Sequence, residues 1–119
     1  MANVNLKSLT TVLGENASIA DIPTSASGIV TCSSNQVLKI NSLYVSNIDG
    51  TNSANITADI HNGSAVLSYL VRNTVVGAGG SINIITAGSP VYITEGQTIR
   101  LTSSAAGDLS GFVSYERIS

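Results

Sequence analysis

Charged residues are scarce in this sequence. Aspartate, glutamate, lysine and arginine make up 10% of its 119 residues, against about a quarter in an ordinary globular protein. The five basic residues are scattered along the chain, and the formal net charge is -2. Because phosphate binding needs clustered lysine or arginine, the composition argues against nucleic acid as a partner.

Cysteine and long apolar runs are scarce as well. The single thiol, Cys32, cannot close an internal disulfide, which excludes a disulfide-stapled scaffold. The N-terminus lacks the basic-then-apolar pattern of a signal peptide, and no run of about 20 apolar residues could span a membrane. We therefore expect synthesis in a reducing cytoplasm and no membrane partner.

Short runs of alternating apolar and polar residues are what the sequence does contain. In the longest run, Leu43 and Val45 share one face, whereas Leu38 and Ile40 are out of phase with them. A β-bulge inserts one residue and restores the phase. The pattern predicts a strand over residues 37–45 with a bulge near Asn41.

Turn signals separate these runs. Asp49-Gly50 predicts a hairpin that joins this strand to a second one over residues 55–60, and Asn62-Gly63 predicts the next turn. Residues 64–76 contain an apolar stripe that a helix would also give, but their β-branched residues favour a strand.

The resulting pattern is about seven to nine short strands, with a turn roughly every ten residues. It predicts an all-β protein built as a single antiparallel β-sandwich, with jelly-roll or Greek-key connections. We expect residues 1–27 to form an N-terminal arm and first strand region, and residues 28–119 to form the sandwich, as one domain overall.

Catalytic and metal-binding patterns are missing. His61 is the only histidine and has no nucleophile with an orienting carboxylate in a recognisable motif. The carboxylates and amides around Asp49 lack the ligand order of a calcium loop, and the glycines of residues 77–80 lack the lysine and helix of a phosphate loop. We expect no enzyme activity, no catalytic residues, no cofactor and no metal.

Sugar binding is a different possibility, because β-sandwiches often carry such sites on aromatic platforms. The sequence has no tryptophan, but four tyrosines lie in predicted strands, where each belongs either to the core or to a sheet surface: Tyr44, Tyr69, Tyr92 and Tyr115. A glycan-binding module therefore stays open as an alternative.

The second half of the chain carries a series of strand and turn motifs. They are an L-x-x-N strand end, a small-residue Gly-Gly loop, a "VYITEGQTIR" strand pair, a Ser-rich turn and a closing "VSYERI", within residues 69–118. Upstream, "QVLKINSLYVSN" has the matching strand pattern. Over roughly two thirds of the chain, these motifs resemble small β-sandwich structural proteins of tailed-bacteriophage virions.

The resemblance implies a virion structural protein without enzyme activity. We expect a capsid decoration (cement) protein on the capsid surface, which forms a homotrimer or similar oligomer and stabilises the shell of the major capsid protein. It would be made in the host cytoplasm. The alternatives are a neck, tail or baseplate accessory protein within this class, or a glycan-binding module for host attachment. The residues predicted to form the capsid-docking arm are Asn3, Val4, Leu6, Lys7, Leu9 and Leu13.

Overall fold

The computed structural model describes residues 11–119, which form nine β-strands. No helix in that part of the chain is long and apolar enough to cross a membrane. The strands are β1 (Val12–Ile19), β2 (Ser27–Thr31), β3 (Val37–Asn47), β4 (Ala54–His61), β5 (Val66–Val76), β6 (Ser81–Ile85), β7 (Val91–Ile93), β8 (Thr98–Ser103) and β9 (Leu109–Ile118).

Two antiparallel sheets contain all nine strands. Sheet A has the order β1-β9-β3-β6, and β7 also pairs with β3; sheet B has the order β2-β8-β4-β5. Strand β9 occupies one side of β3. Strands β6 and β7 both pair with the other side of β3, one after the other, and together form one interrupted edge strand. If β6 and β7 are counted as one, each sheet has four strands, and every connection except the β4–β5 hairpin crosses from one sheet to the other, as in a jelly roll. The predicted all-β sandwich is confirmed.

The core lies between the sheets and is almost wholly aliphatic. Leu43, Val45, Ile56, Leu101 and Val113 have no exposed surface. Each lies in a strand whose inward apolar residues alternate with outward polar ones, which is the sequence pattern expected of a strand with one buried face.

The predicted bulge in the longest strand is confirmed. The pairing of β3 with β9 shifts register between Ile40 and Ser42, which leaves Asn41 as the extra residue. The bulge lets Leu38 and Ile40 on one side of it, and Leu43 on the other, all reach the core. Without it, one of these two sets would face solvent.

The hairpin predicted at Asp49-Gly50 is wrong. β3 belongs to sheet A and β4 to sheet B, so this connection crosses from one sheet to the other. A turn sequence marks where the chain reverses but does not determine which sheet the next strand joins. The six residues 48–53 are long enough to cross, and the Asp49 carboxylate stabilises the bend by accepting hydrogen bonds from the backbone N–H of Thr51 and Asn52.

Asn47, at the end of β3, joins the two sheets at this crossing. Its side-chain amide donates to the carbonyl oxygens of Asn52 (2.9 Å) and Val76 (3.0 Å), the latter at the end of β5 in sheet B. Its Oδ1 accepts from the N–H of Asp49 at 2.8 Å. The residue is 4% exposed, so one buried amide satisfies three backbone groups where the chain changes sheets.

The β4–β5 connection is a true hairpin, as Asn62-Gly63 predicts. Gly63 has a φ of 93°, which favours glycine. Asn62 Oδ1 accepts from the N–H groups of Ser64 and Ala65. The strand prediction for residues 64–76 is also confirmed, because β5 occupies most of that segment.

Candidate functional site

Most of the predicted docking arm lies outside the described residues. Asn3, Val4, Leu6, Lys7 and Leu9 precede residue 11, so their predicted role stays a prediction. Thr11, the first of the described residues, exchanges two backbone hydrogen bonds of 2.8 Å with Ser119.

Leu13, the last predicted arm residue, lies in β1, where it pairs with Arg117 of β9. It therefore belongs to an edge strand of the sandwich. Leu13 is 43% exposed and its neighbour Val12 is 60% exposed. The described chain thus starts on an edge strand that presents two apolar side chains to solvent.

His61 and Cys32 both have structural surroundings. His61 is the last residue of β4, and its Nδ1 accepts a hydrogen bond from the N–H of Gly63 at 3.0 Å. The Cys32 thiol is buried and donates to the carbonyl oxygen of Gln36 at 3.3 Å. Burial raises the pKa of this thiol, which keeps it in the unreactive protonated form.

Asp59 faces the outer side of sheet B, as its phase in the strand predicts, yet it is only 3% exposed. Its two carboxylate oxygens accept from Nε and Nη2 of Arg100 at 2.9 and 3.1 Å, across the β4–β8 pairing. This hydrogen bonding raises the pKa of Arg100. The carboxylate is therefore committed to an ion pair and does not orient His61.

Two aspartates meet where the chain crosses between sheets. Desolvation and the nearby Asp49 carboxylate raise the pKa of Asp108. Backbone N–H donors, that of Thr51 foremost, lower the pKa of Asp49. Within residues 11–119, no three His, Cys, Asp or Glu side chains are grouped as a metal ion would require.

The outer face of sheet A carries the most distinctive surface in the described chain. Tyr44 of β3 and Phe112 of β9 are directly paired, with ring centroids 5.5 Å apart and planes tilted by 35°. Tyr44 is 39% exposed and Phe112 is half-buried. The two rings form a continuous aromatic surface in the middle of the sheet.

A shallow, open cavity of about 440 Å³ lies over this surface. We call it the sheet A cavity. It is lined by Ser18, Ile19, Ala20, Tyr44, Ser46, Ile48, Ser110, Gly111 and Phe112. The lining contains three hydroxyl groups in addition to the aromatic pair, and none of its residues is charged.

The long edge strand β5 is a second exposed feature. Leu67, Tyr69 and Val75 are each more than 40% exposed. The Arg72 guanidinium lies over the Tyr69 ring, 4.7 Å from its centroid, which is a cation–π contact. On the described chain β5 pairs with β4 alone, so its other side is a free sheet edge.

Sequence reasoning recognised Tyr44 as one of four possible platforms but did not single it out, and it missed Phe112. The serine–tyrosine–serine alternation of Ser42, Tyr44 and Ser46 was a usable signal, because alternate residues share a face. The partner in β9 could not be identified, because the register of two strands about 70 residues apart is a long-range property.

Comparison with known proteins identifies the fold and no family. No protein-family model matches the chain, and no curated protein sequence matches it. One similar solved structure comes from work described as "Bacillus endospore appendages form a novel family of disulfide-linked pili". It is 18% identical, with a TM-score of 0.55, over 90% of this chain and 87% of that one. At this identity the likeness shows a shared sandwich fold alone.

Proposed function

We propose that this chain is a non-catalytic structural protein of a phage virion, namely a capsid decoration protein that binds and stabilises the major capsid shell. The motifs of residues 69–118 and the strand pattern upstream support the virion class by resemblance. The observation that carries capsid docking is the exposed apolar start of β1, at Val12 and Leu13. Leu13 is the last residue of the predicted arm, and its pairing with β9 places the end of that segment on the edge of sheet A.

A sheet edge suits such a task physically. An extended partner strand can add to an edge through backbone hydrogen bonds, while alternate side chains fill pockets on the partner. β1 pairs only with β9 on the described chain, so its outer side is available. The preceding ten residues could extend at most about 33–36 Å. In the proposed role, this segment would cross from the sandwich onto a neighbouring capsid subunit.

Assembly through linked cysteines does not suit this chain. The pilus protein is described as disulfide-linked, but a chain with one cysteine can join at most one other chain through a disulfide. Cys32 is buried. Any oligomer, including the homotrimer that we favour, would have to be held by non-covalent contacts.

The docking proposal is tested by deleting residues 2–10 and measuring how much protein is bound to purified capsids. We expect the truncated protein to keep its β-sheet circular dichroism and to lose capsid binding. As a matched control, Ile48→Ser changes an exposed apolar residue outside β1, and it should bind like the wild type. Full occupancy by the truncated protein would refute the docking arm.

Copy number distinguishes the two locations in the virion. A decoration protein should occur at a stoichiometry comparable to that of the major capsid protein, measured by densitometry of purified virions. A neck, tail or baseplate protein should occur at far lower stoichiometry. The latter result would overturn the capsid location but would leave the virion structural class in place.

A further inference from the structure

We propose that the sheet A cavity binds a neutral sugar ring. The inference rests on the geometry of this face and is independent of where the protein sits in a virion. Tyr44 and Phe112 would form the stacking surface, and the serines around them would hydrogen-bond to sugar hydroxyls. The size of the cavity, the order of its side chains and its lack of charge support this ligand class.

The size favours a small ligand over a protein. A volume of about 440 Å³ lies within the range of roughly 300–1,000 Å³ that is typical of small-molecule sites. Nine residues line the cavity, whereas a stable protein interface takes about 20–30 residues on each side. A second copy of the chain would therefore find too little contact in the cavity itself.

The order of side chains across the sheet matches the two-sided chemistry of a sugar. The pairing of β3 with β9 places the aromatic pair between two pairs of serines. Ser46–Ser110 lines the cavity, and Ser42–Ser114 lies on the other side of the rings, outside the cavity lining. Each serine pair lies two residues from the rings along the strand, or about 6.6 Å. A pyranose ring has apolar C–H faces and a periphery of hydroxyls, so its face meets the rings and its hydroxyls meet the serines.

A third strand adds to the same arrangement. Ser18 of β1 pairs with Phe112 of β9, so it flanks the aromatic pair in the direction across the strands. Serine hydroxyls both donate and accept hydrogen bonds, which suits sugar hydroxyls that do the same. The cavity therefore offers a stacking surface with hydroxyl groups on more than one side.

The absence of charge in the lining narrows the ligand class. With no lysine, arginine or histidine at the cavity, a carboxylate or phosphate group would lose its hydration without an opposite charge to replace it. We therefore expect neutral hexoses and N-acetylhexosamines to bind, and acidic sugars to bind more weakly or not at all.

Saturation-transfer NMR of the full chain tests the proposal, with the methyl glycosides of glucose, galactose and mannose, N-acetylglucosamine, and glucuronic acid as the probes. We expect saturable binding of at least one neutral probe, with chemical-shift changes at Tyr44 and Phe112. Tyr44→Ser should weaken binding by roughly five- to tenfold, because it removes one ring of the stacking surface. Tyr44→Phe should retain binding.

The matched control is Tyr92→Ser. Tyr92 is 50% exposed, and it pairs with Lys39 on the same sheet, outside the cavity lining. This variant should bind as the wild type does. Three results would overturn the proposal: no neutral probe binding to the wild type, equal loss in Tyr44→Ser and Tyr92→Ser, or shifts at Tyr44 that follow protein concentration alone, as a second copy in the cavity would cause.

Discussion

Replacing Asn47 with alanine should be among the more destabilising single changes in this protein. The change removes the two amide donors to the carbonyl oxygens of Asn52 and Val76, and the acceptor for the N–H of Asp49. The bond to Val76 is buried, and a buried group left without a partner costs about 1–3 kcal/mol. The other two are partly buried, and water can replace them in part, so each contributes about 0.5–1 kcal/mol.

The sum is a loss of about 2–5 kcal/mol in the free energy of unfolding. A domain of this size has a total stability of roughly 5–15 kcal/mol. Urea denaturation followed by circular dichroism should show a lower midpoint with an unchanged slope. Asn47→Asp should be at least as damaging at neutral pH, because it keeps the acceptor but turns a negative charge toward two carbonyl oxygens.

The matched control is Asn52→Ala, in the same crossing. The Asn52 side chain is exposed and donates one hydrogen bond, to Asp49 at 3.2 Å, while its backbone carbonyl remains in place for Asn47. We expect a change within about 0.5 kcal/mol, as for an ordinary surface substitution. If both alanine variants unfolded at the same urea concentration, the role assigned to the Asn47 amide would be refuted.

Three further changes probe the core, the crossing carboxylates and the thiol. Gly111→Ala would place a methyl group 2.7 Å from Cδ1 of the fully buried Leu101. Overpacking of this kind lowers the free energy of unfolding by about 1–3 kcal/mol. A variant that unfolded at the wild-type thermal midpoint would contradict this prediction. Asp108→Asn should raise the thermal midpoint at neutral pH, because the raised pKa of Asp108 beside Asp49 means that ionisation costs stability. That gain should shrink as the pH falls through the aspartate range, and a gain independent of pH would count against the explanation. Cys32 should react with a thiol reagent only after unfolding, since it is 1% exposed and its pKa is raised; complete labelling of the native protein on mixing would contradict this.

Local patterns in the sequence were sufficient for the strands and for one irregularity within them. The alternation in residues 37–45 breaks at a single point, and a bulge is the local structure that repairs such a break. The structure places the bulge at Asn41. The strand at residues 64–76 could also be predicted, because β-branched residues fit a pleated surface better than a helix.

Properties that depend on distant partners could not be predicted. Asp49-Gly50 marks a reversal in a hairpin and in a crossing alike, so the sequence does not determine which sheet β4 joins. The sequence alone would place Asn47 on the surface at a strand end. In the fold, its side chain is buried where it donates to the carbonyl oxygen of Val76. The ion pair of Asp59 with Arg100, and the pairing of Tyr44 with Phe112, both require the register of strands that are far apart in the chain.

The hydrogen bonds between Thr11 and Ser119 place both ends of the described chain at one end of the sandwich. A reporter fused after Ser119 would therefore stand beside Thr11, where it would compete with the proposed capsid docking. β3 starts near Ser119 and runs for 11 residues to the opposite end, a distance of about 33 Å. The turn between β8 and β9, with exposed Ala106, lies at that far end. A foreign epitope inserted there would point away from the proposed attachment point, which makes this turn the rational position for peptide display.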